Sequence, residues 1–186
     1  MMQAPRTAPL SLIAHPACEV PDDWRVSVSI WRHDDRGEVN LWFALPRSGV
    51  QWPKSPEESV VPARTDRLWQ HSCVELFVAV AGSNHYREFN FAADGRWAVY
   101  EFAGYRERVP RLPLVADPQI SSEVTGDGLS ILVTLSANSL PVGDEIEMNA
   151  TAVLETETGS LSYWAASHPC AQPDFHDRAG FLLTLG

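Results

Sequence analysis

Period-two alternation in the middle of this chain leaves little room for any architecture but extended strands. Along Trp69-Gln-His-Ser-Cys-Val-Glu-Leu-Phe-Val-Ala-Val80, Val74, Leu76, Val78 and Val80 fall on one side, and Trp69, His71, Glu75 and Phe77 on the other. Along His85-Tyr-Arg-Glu-Phe-Asn-Phe91, Phe89 and Phe91 continue the apolar side, while Tyr86, Glu88 and Asn90 share the phase of Glu75 if the two stretches pair as a hairpin. A solvated face is richer in Lys, Thr and Ser. Carboxylates, an amide and aromatic rings on one face have the chemistry to hold a polyhydroxylated small molecule.

The same pattern recurs elsewhere. Trp24, Val26, Val28 and Ile30 oppose Arg25, Ser27, Ser29 and Trp31; Val39, Leu41, Phe43 and Leu45 oppose Glu38, Asn40, Trp42 and Ala44; Asp34-Asp-Arg-Gly37 is the hairpin connection between them. Pro46, Pro53, Pro56 and Pro62 make residues 46–67 a long ordered loop or flap, because proline removes donors and blocks a helix. Asp94-Gly95 turns the chain into residues 96–102, where both sides are apolar enough to be buried. Beyond the prolines Pro110, Pro113 and Pro118, Asp127-Gly128 opens a strand with Leu129, Ile131, Val133 and Leu135 inward, and residues 136–140 suit a single helical turn. Ile146, Met148, Ala150, Ala152 and Leu154 form another apolar face. After Thr158-Gly159, Leu161, Tyr163 and Ala165 alternate with Ser162, Trp164 and Ala166, then a polar loop at 167–177 leads to a closing strand at 181–185. About ten strands and almost no amphipathic helix predict an all-β, antiparallel two-sheet β-sandwich.

The 186 residues show no composition break, so one domain is expected over residues 1–186, its core running from about residue 10 to the end. Against 24 Asp and Glu stand 14 Lys and Arg, and a net charge of −10 disfavours nucleic acid and anionic membranes as partners. Seven Trp, four Tyr and seven Phe supply enough apolar surface that neither metal nor disulfide is needed to hold the fold. Cys18, Cys73 and Cys170 are odd in number and lack CxxC spacing; with no secretory apolar run near the start, reduced thiols and a cytoplasmic location are expected. No stretch approaches the roughly 20 apolar residues of a membrane helix. Nucleotide-binding glycine patterns, HExxH and GxSxG are missing, so no enzyme is expected.

Glu75 lies mid-strand among Val, Leu and Phe, where an ionised carboxylate is costly without a partner. It accepts hydrogen bonds from ligand hydroxyls, ligates a cation, or forms an internal salt bridge to Arg87, Arg96 or Arg106. Trp31, Trp42 and Trp164 fall out of phase with the aliphatic positions of their strands, which suits either stacking on a sugar ring or packing under the proline-rich loop. Trp69, at a loop-to-strand junction, is placed for a rim, and Tyr105-Arg106 offers another ring and a cation. His168 and His176 share a polar loop with Asp174 and Asp177, but the spacing matches no zinc site. As an acid/base pair, His71 and Glu75 lie four apart on one strand, about 13 Å, too far for direct relay.

The runs Trp69-Gln-His-Ser-Cys-Val-Glu-Leu-Phe-Val78, Tyr86-Arg-Glu-Phe-Asn-Phe-Ala-Ala-Asp-Gly-Arg-Trp-Ala-Val-Tyr100 and Tyr105-Arg106, with the tail Tyr163-Trp-Ala-Ala-Ser-His168 and Pro173-Asp-Phe-His176, resemble DOMON-like, type 9 carbohydrate-binding-module-like proteins of bacteria. The resemblance runs from about Trp24 to Leu185. It implies a jelly-roll-type sandwich that binds sugars or haem in a groove on one sheet. For a saccharide it implies Glu75 and Asn90 as hydrogen-bonding groups, with Trp69, Tyr105, Arg106 and Trp164 as rim or stacking groups. For haem, the alternative, His71, His168, His176 and Met148 are the candidate axial donors. Calcium, structural in secreted sugar-binding relatives, has no ligand-dense loop here.

Overall fold

A computed structural model describes residues 7–33, 37–53, 63–111, 113, 115–126 and 128–185. The expected reversal at residues 34–36, the middle of the proline-rich segment at 54–62 and the Asp127 half of its turn lie outside them. Among the described residues the strands are β1 (Leu10–Ala14), β2 (Val26–His33), β3 (Glu38–Pro46), β4 (Cys73–Val80), β5 (Tyr86–Phe91), β6 (Trp97–Phe102), β7 (Gln119–Thr125), β8 (Gly128–Leu135), β9 (Ile146–Glu155), β10 (Leu161–Ala165) and β11 (Leu183–Leu185). Single 3-10 turns at Leu68–Gln70, Ala137–Ser139 and Arg178–Gly180 are the helical elements, and none is long and apolar enough to cross a membrane.

The fold is an antiparallel β-sandwich. Its strands follow the order β6-β5-β4-β9-β10-β1-β2-β3-β8-β7, with β11 also on β9. The sheet curls so that its two halves face each other across one apolar cluster. Val28, Leu41, Phe43, Ile131 and Val133 come from one half, and Val74, Leu76, Phe89, Phe91, Ala152 and Leu154 from the other. These are the inward members of the alternation read from sequence, and each large side chain removed from water contributes about 1.5–3 kcal/mol. Strand β1, which the alternation did not mark, joins the halves: Leu10, Ser11 and Leu12 pair with β2, whereas Ile13 and Ala14 pair with β10.

A second buried cluster explains why β6 looks apolar on both sides. Trp97 and Val99 enter the core between the halves, whereas Ala98, Tyr100 and Phe102 join Phe77, Tyr86, Val153, Phe175 and Phe181 on the outer face of β4, β5 and β6. That face is covered because β10 and β11 share one edge of β9. Strand β10 pairs with Ala152 through Glu155, and β11 with Ile146 through Met148. The intervening residues 166–182 therefore leave the sheet edge and fold back over its outer surface, coming so near at Gly180 that a Cβ there would press on Asn149 Nδ2 at 3.2 Å.

Candidate ligand-binding site

Register decides what the outer face displays. Strand β4 meets β5 with Glu75 opposite Asn90, Phe77 opposite Glu88 and Ala79 opposite Tyr86, and β5 meets β6 with Glu88 opposite Tyr100 and Tyr86 opposite Phe102. Glu75, Asn90 and Glu88 consequently point to one side of the sheet, as their shared phase predicts. A groove of about 890 Å³ opens over them. Glu75, Phe77, Glu88 and Val153 form its floor, and Tyr100, Phe102, Tyr163 and Phe175 contribute rings to its walls. Trp69, Arg106 and Arg108 also line it.

The floor is rich in acceptors and short of donors. The Glu75 residue is 2 % exposed. Its Oε2 accepts from Thr151 Oγ1 at 3.0 Å, and its Oε1 receives the weak Cys73 thiol donor at 3.8 Å. The internal salt bridge considered for it does not form: Arg87 pairs with Glu101, Arg96 with Asp94 and Arg106 with Asp174. Burial, reinforced by the neighbouring Glu88, pushes the Glu75 carboxyl above the ordinary glutamate range. Burial also raises Glu88, although the Asn90 amide at 2.7 Å and the guanidinium groups of Arg108 and Arg106 pull the other way. Asn90 is fully buried, and its Oδ1 has no hydrogen-bond partner.

Two tyrosines fix the groove's margins by the same device. Arg106 sits in the left-handed region at φ 57°, and its N–H donates to Tyr86 Oη at 3.0 Å. Tyr86 Oη also hydrogen-bonds to His176 Nδ1, 2.8 Å away, and His176 Nε2 lies 3.7 Å from Glu88 Oε2. Burial, with Arg106 nearby, lowers His176 to about 4, so this imidazole is neutral near pH 7. Asp174 ties the margin together by accepting from Tyr105 Oη at 2.5 Å, Arg106 Nη2 at 2.8 Å and the His176 N–H at 3.0 Å. On the other side Arg67, at φ 62°, donates its N–H to Tyr100 Oη at 3.0 Å, and Tyr100 in turn donates to Asp66. The Arg108 guanidinium lies 4.1 Å from the Tyr100 ring centroid.

Glu75, Glu88, Trp69, Arg106 and His176 thus line one groove, with Asn90 beneath them in contact with Glu88. The remaining candidates lie elsewhere. Trp164 is a correction. It is buried between the sheet halves, with its Nε1 on Ser162 Oγ at 3.0 Å, and the ring its strand turns toward the groove is the neighbouring Tyr163. Tyr105 is 61 % exposed, outside the groove lining, and acts through Asp174. His168 bonds to the Ile13 carbonyl at 2.9 Å and stands edge-on to His15, away from the groove. His71 precedes β4 instead of lying on it and bonds to Glu155 at 2.8 Å, so the His71 and Glu75 acid/base pair is not assembled. Met148 is packed in the core, leaving His176 as the one candidate haem donor in the groove lining. Trp69 reaches its place through the 3-10 turn, not through strand parity. Among the described residues no three His, Cys, Asp or Glu converge to hold a metal ion.

Sequence reading missed Phe175, Tyr163, Tyr100, Phe102 and Arg108 as groove residues. Tyr100 and Phe102 carried a usable signal, since they share the phase that pairs with Glu88 and Tyr86 across a hairpin. Phe175 carried none, because its place depends on how a loop folds over the sheet.

No family model matches the sequence, and no curated protein gives a significant match. Similar solved structures include a candidate carbohydrate-binding protein from Bacteroides uniformis ATCC 8492, which superposes with a TM-score of 0.65 at 21% identity over 95% of this chain and 83% of that one. A family 9 carbohydrate-binding module from Caldicellulosiruptor kristjanssonii, solved with cellotriose, superposes with a TM-score of 0.50 at 8% identity over 84% of this chain and 71% of that one. At these identities the likeness is one of fold, and the chain shares their β-sandwich.

Proposed function

We propose that this protein is a non-catalytic binding domain whose ligand is a saccharide or related polyol held in the groove above β4, β5 and β6. One observation carries this reading: the Glu75 carboxyl forms part of the floor of a ring-walled groove without a cationic partner. A carboxyl in that position is expensive to bury unless a ligand supplies hydrogen bonds. Ligand hydroxyls do so, and the C–H faces of a sugar ring stack on flat aromatic walls. Trp69 and Tyr163 present rings to the groove, Glu75 and Glu88 present carboxyl groups, and His176 lines it with its imidazole. The fold shared with a cellotriose-binding module supports the same reading.

The test is isothermal titration against a panel of mono- and oligosaccharides, repeated with Glu75→Gln. Saturable binding by the wild-type chain and its weakening in a variant that still unfolds cooperatively are expected. Absence of binding across the panel overturns the reading.

A further inference from the structure

The donors and acceptors on the groove floor do not balance. As carboxylates Glu75 and Glu88 only accept, and against them stand the Thr151 hydroxyl, the Cys73 thiol and the Asn90 Nδ2; without a cation the two carboxyls make up the shortfall by keeping protons. Beneath the floor, Asn90 Oδ1 is buried with no hydrogen-bond partner, and its own amide nitrogen is held 2.7 Å from Glu88. Hydroxyl groups bring one donor each and an acceptor with it, so they relieve such an imbalance poorly. An ammonium group brings donors only, and a positive charge.

Resting on the saccharide reading above, we infer that the group seated on this floor is a protonated amine, which makes an amino sugar, not a neutral sugar, the preferred ligand class. The surrounding rings fit the same chemistry, because Phe77, Phe102, Tyr163 and Phe175 line the groove and an aromatic face attracts a cation set against it. Positive side chains of the groove are engaged at its margin. Arg106 is held by Asp174 at 2.8 Å, and Arg108 lies over the Tyr100 ring with Asp66 at 3.9 Å. The groove is acidic at its base and cationic at its margin, an order that aligns a sugar with its amine inward and its hydroxyls outward.

The charge state of the floor adds a signature that a neutral sugar lacks. Glu75 faces Cys73, Thr151 and Glu88; Glu88 faces Asn90 and His176 and feels Arg106 and Arg108. Burial keeps both carboxyls protonated above the ordinary glutamate range, so an arriving ammonium must displace a proton to the buffer.

The experiment is calorimetric titration of the intact chain near pH 6 with D-glucosamine, D-glucose and N-acetyl-D-glucosamine, and with methylammonium as a protonated amine without a sugar. Each is run in two buffers of different ionisation enthalpy. Glucosamine is expected to bind roughly tenfold or more tightly than its two neutral counterparts, releasing up to about one proton per molecule bound. Glu75→Gln and Glu88→Gln should each shrink that preference and the proton release, while neutral-sugar affinity changes less. Equal affinity for glucosamine and glucose, or binding with no proton release, overturns the amine inference and leaves the saccharide reading standing. Binding of methylammonium without any sugar keeps the cation site and sinks the saccharide reading. Binding of none of the four overturns both.

Discussion

Deleting a single oxygen tests how the groove is held open. Tyr86→Phe keeps the aromatic ring, whose parallel stacking on Phe102 at 4.7 Å is unchanged, and removes only the hydroxyl that links Arg106 N–H to His176 Nδ1. Each lost bond is a net stabilisation of about 1 kcal/mol, and a polar group left dry costs about 1–3 kcal/mol. His176 is 15% exposed at its side chain, so water reaches it only in part. Arg106 in the left-handed region returns about 1 kcal/mol of strain if its turn relaxes. The balance is a loss of about 2 kcal/mol, equivalent to a fall of about 4–8 °C in Tm for a chain of this size. Urea unfolding at pH 7 measures it, with Tyr86→Ala as a control that also loses the ring and should cost about 3–5 kcal/mol. A Tyr86→Phe loss under about 0.5 kcal/mol, with the His176 ring resonances unmoved, would refute the claim that this hydroxyl joins the two margins.

Other consequences concern pH and the two tryptophans. The folded carboxyls of Glu75 and Glu88 are raised above the ordinary glutamate value of 4.5, so unfolding releases protons: their stabilising share is complete below about 4.5 and is lost as pH climbs through the raised values. A Tm scan across this range should slope downward on its alkaline side, and Glu75→Gln should flatten it; an unchanged slope contradicts the assignment. His176 works in the opposite sense, since its lowered value makes its share complete above 6.5 and lost as pH falls through about 4. A histidine resonance that titrates well below the ordinary range identifies it. Trp164→Ala should cost about 3–5 kcal/mol because the ring is packed in the core, with affinity unchanged in the fraction that stays folded. Trp69→Ala, at a residue 45 % exposed on the rim, should weaken saccharide binding roughly tenfold and shift Tm little. The reverse pattern would mean that the two rings have been assigned to the wrong faces.

Parity along single strands was legible wherever alternation was clean. Val74, Leu76 and Val78 enter the core and Glu75 turns away from it, and Asn90 and Glu88 follow because a hairpin with matched apolar faces allows only one parity. The same reasoning failed where chain geometry departs from a strand. His71 and Trp69 precede β4 in a bend and a 3-10 turn, so counting by twos through them had no physical basis. It also failed for Trp164, because in a short strand apolar on both sides, hydrophobicity does not say which face meets the core; pairing of β10 with β9 does.

Local chemistry alone determined that this chain is built of antiparallel strands, and that two carboxyls and an amide emerge on one side of a hairpin, because side-chain direction in a strand reverses at every residue. Tertiary structure alone decided that this side is a groove and not an open surface. The β9 edge left uncovered between β10 and β11 sends residues 166–182 back across the sheet, bringing Phe175 and His176 above Glu75 and Glu88 from about ninety residues away. Burial by that loop, not the sequence around the two glutamates, is what makes their charge costly and gives a ligand something to relieve.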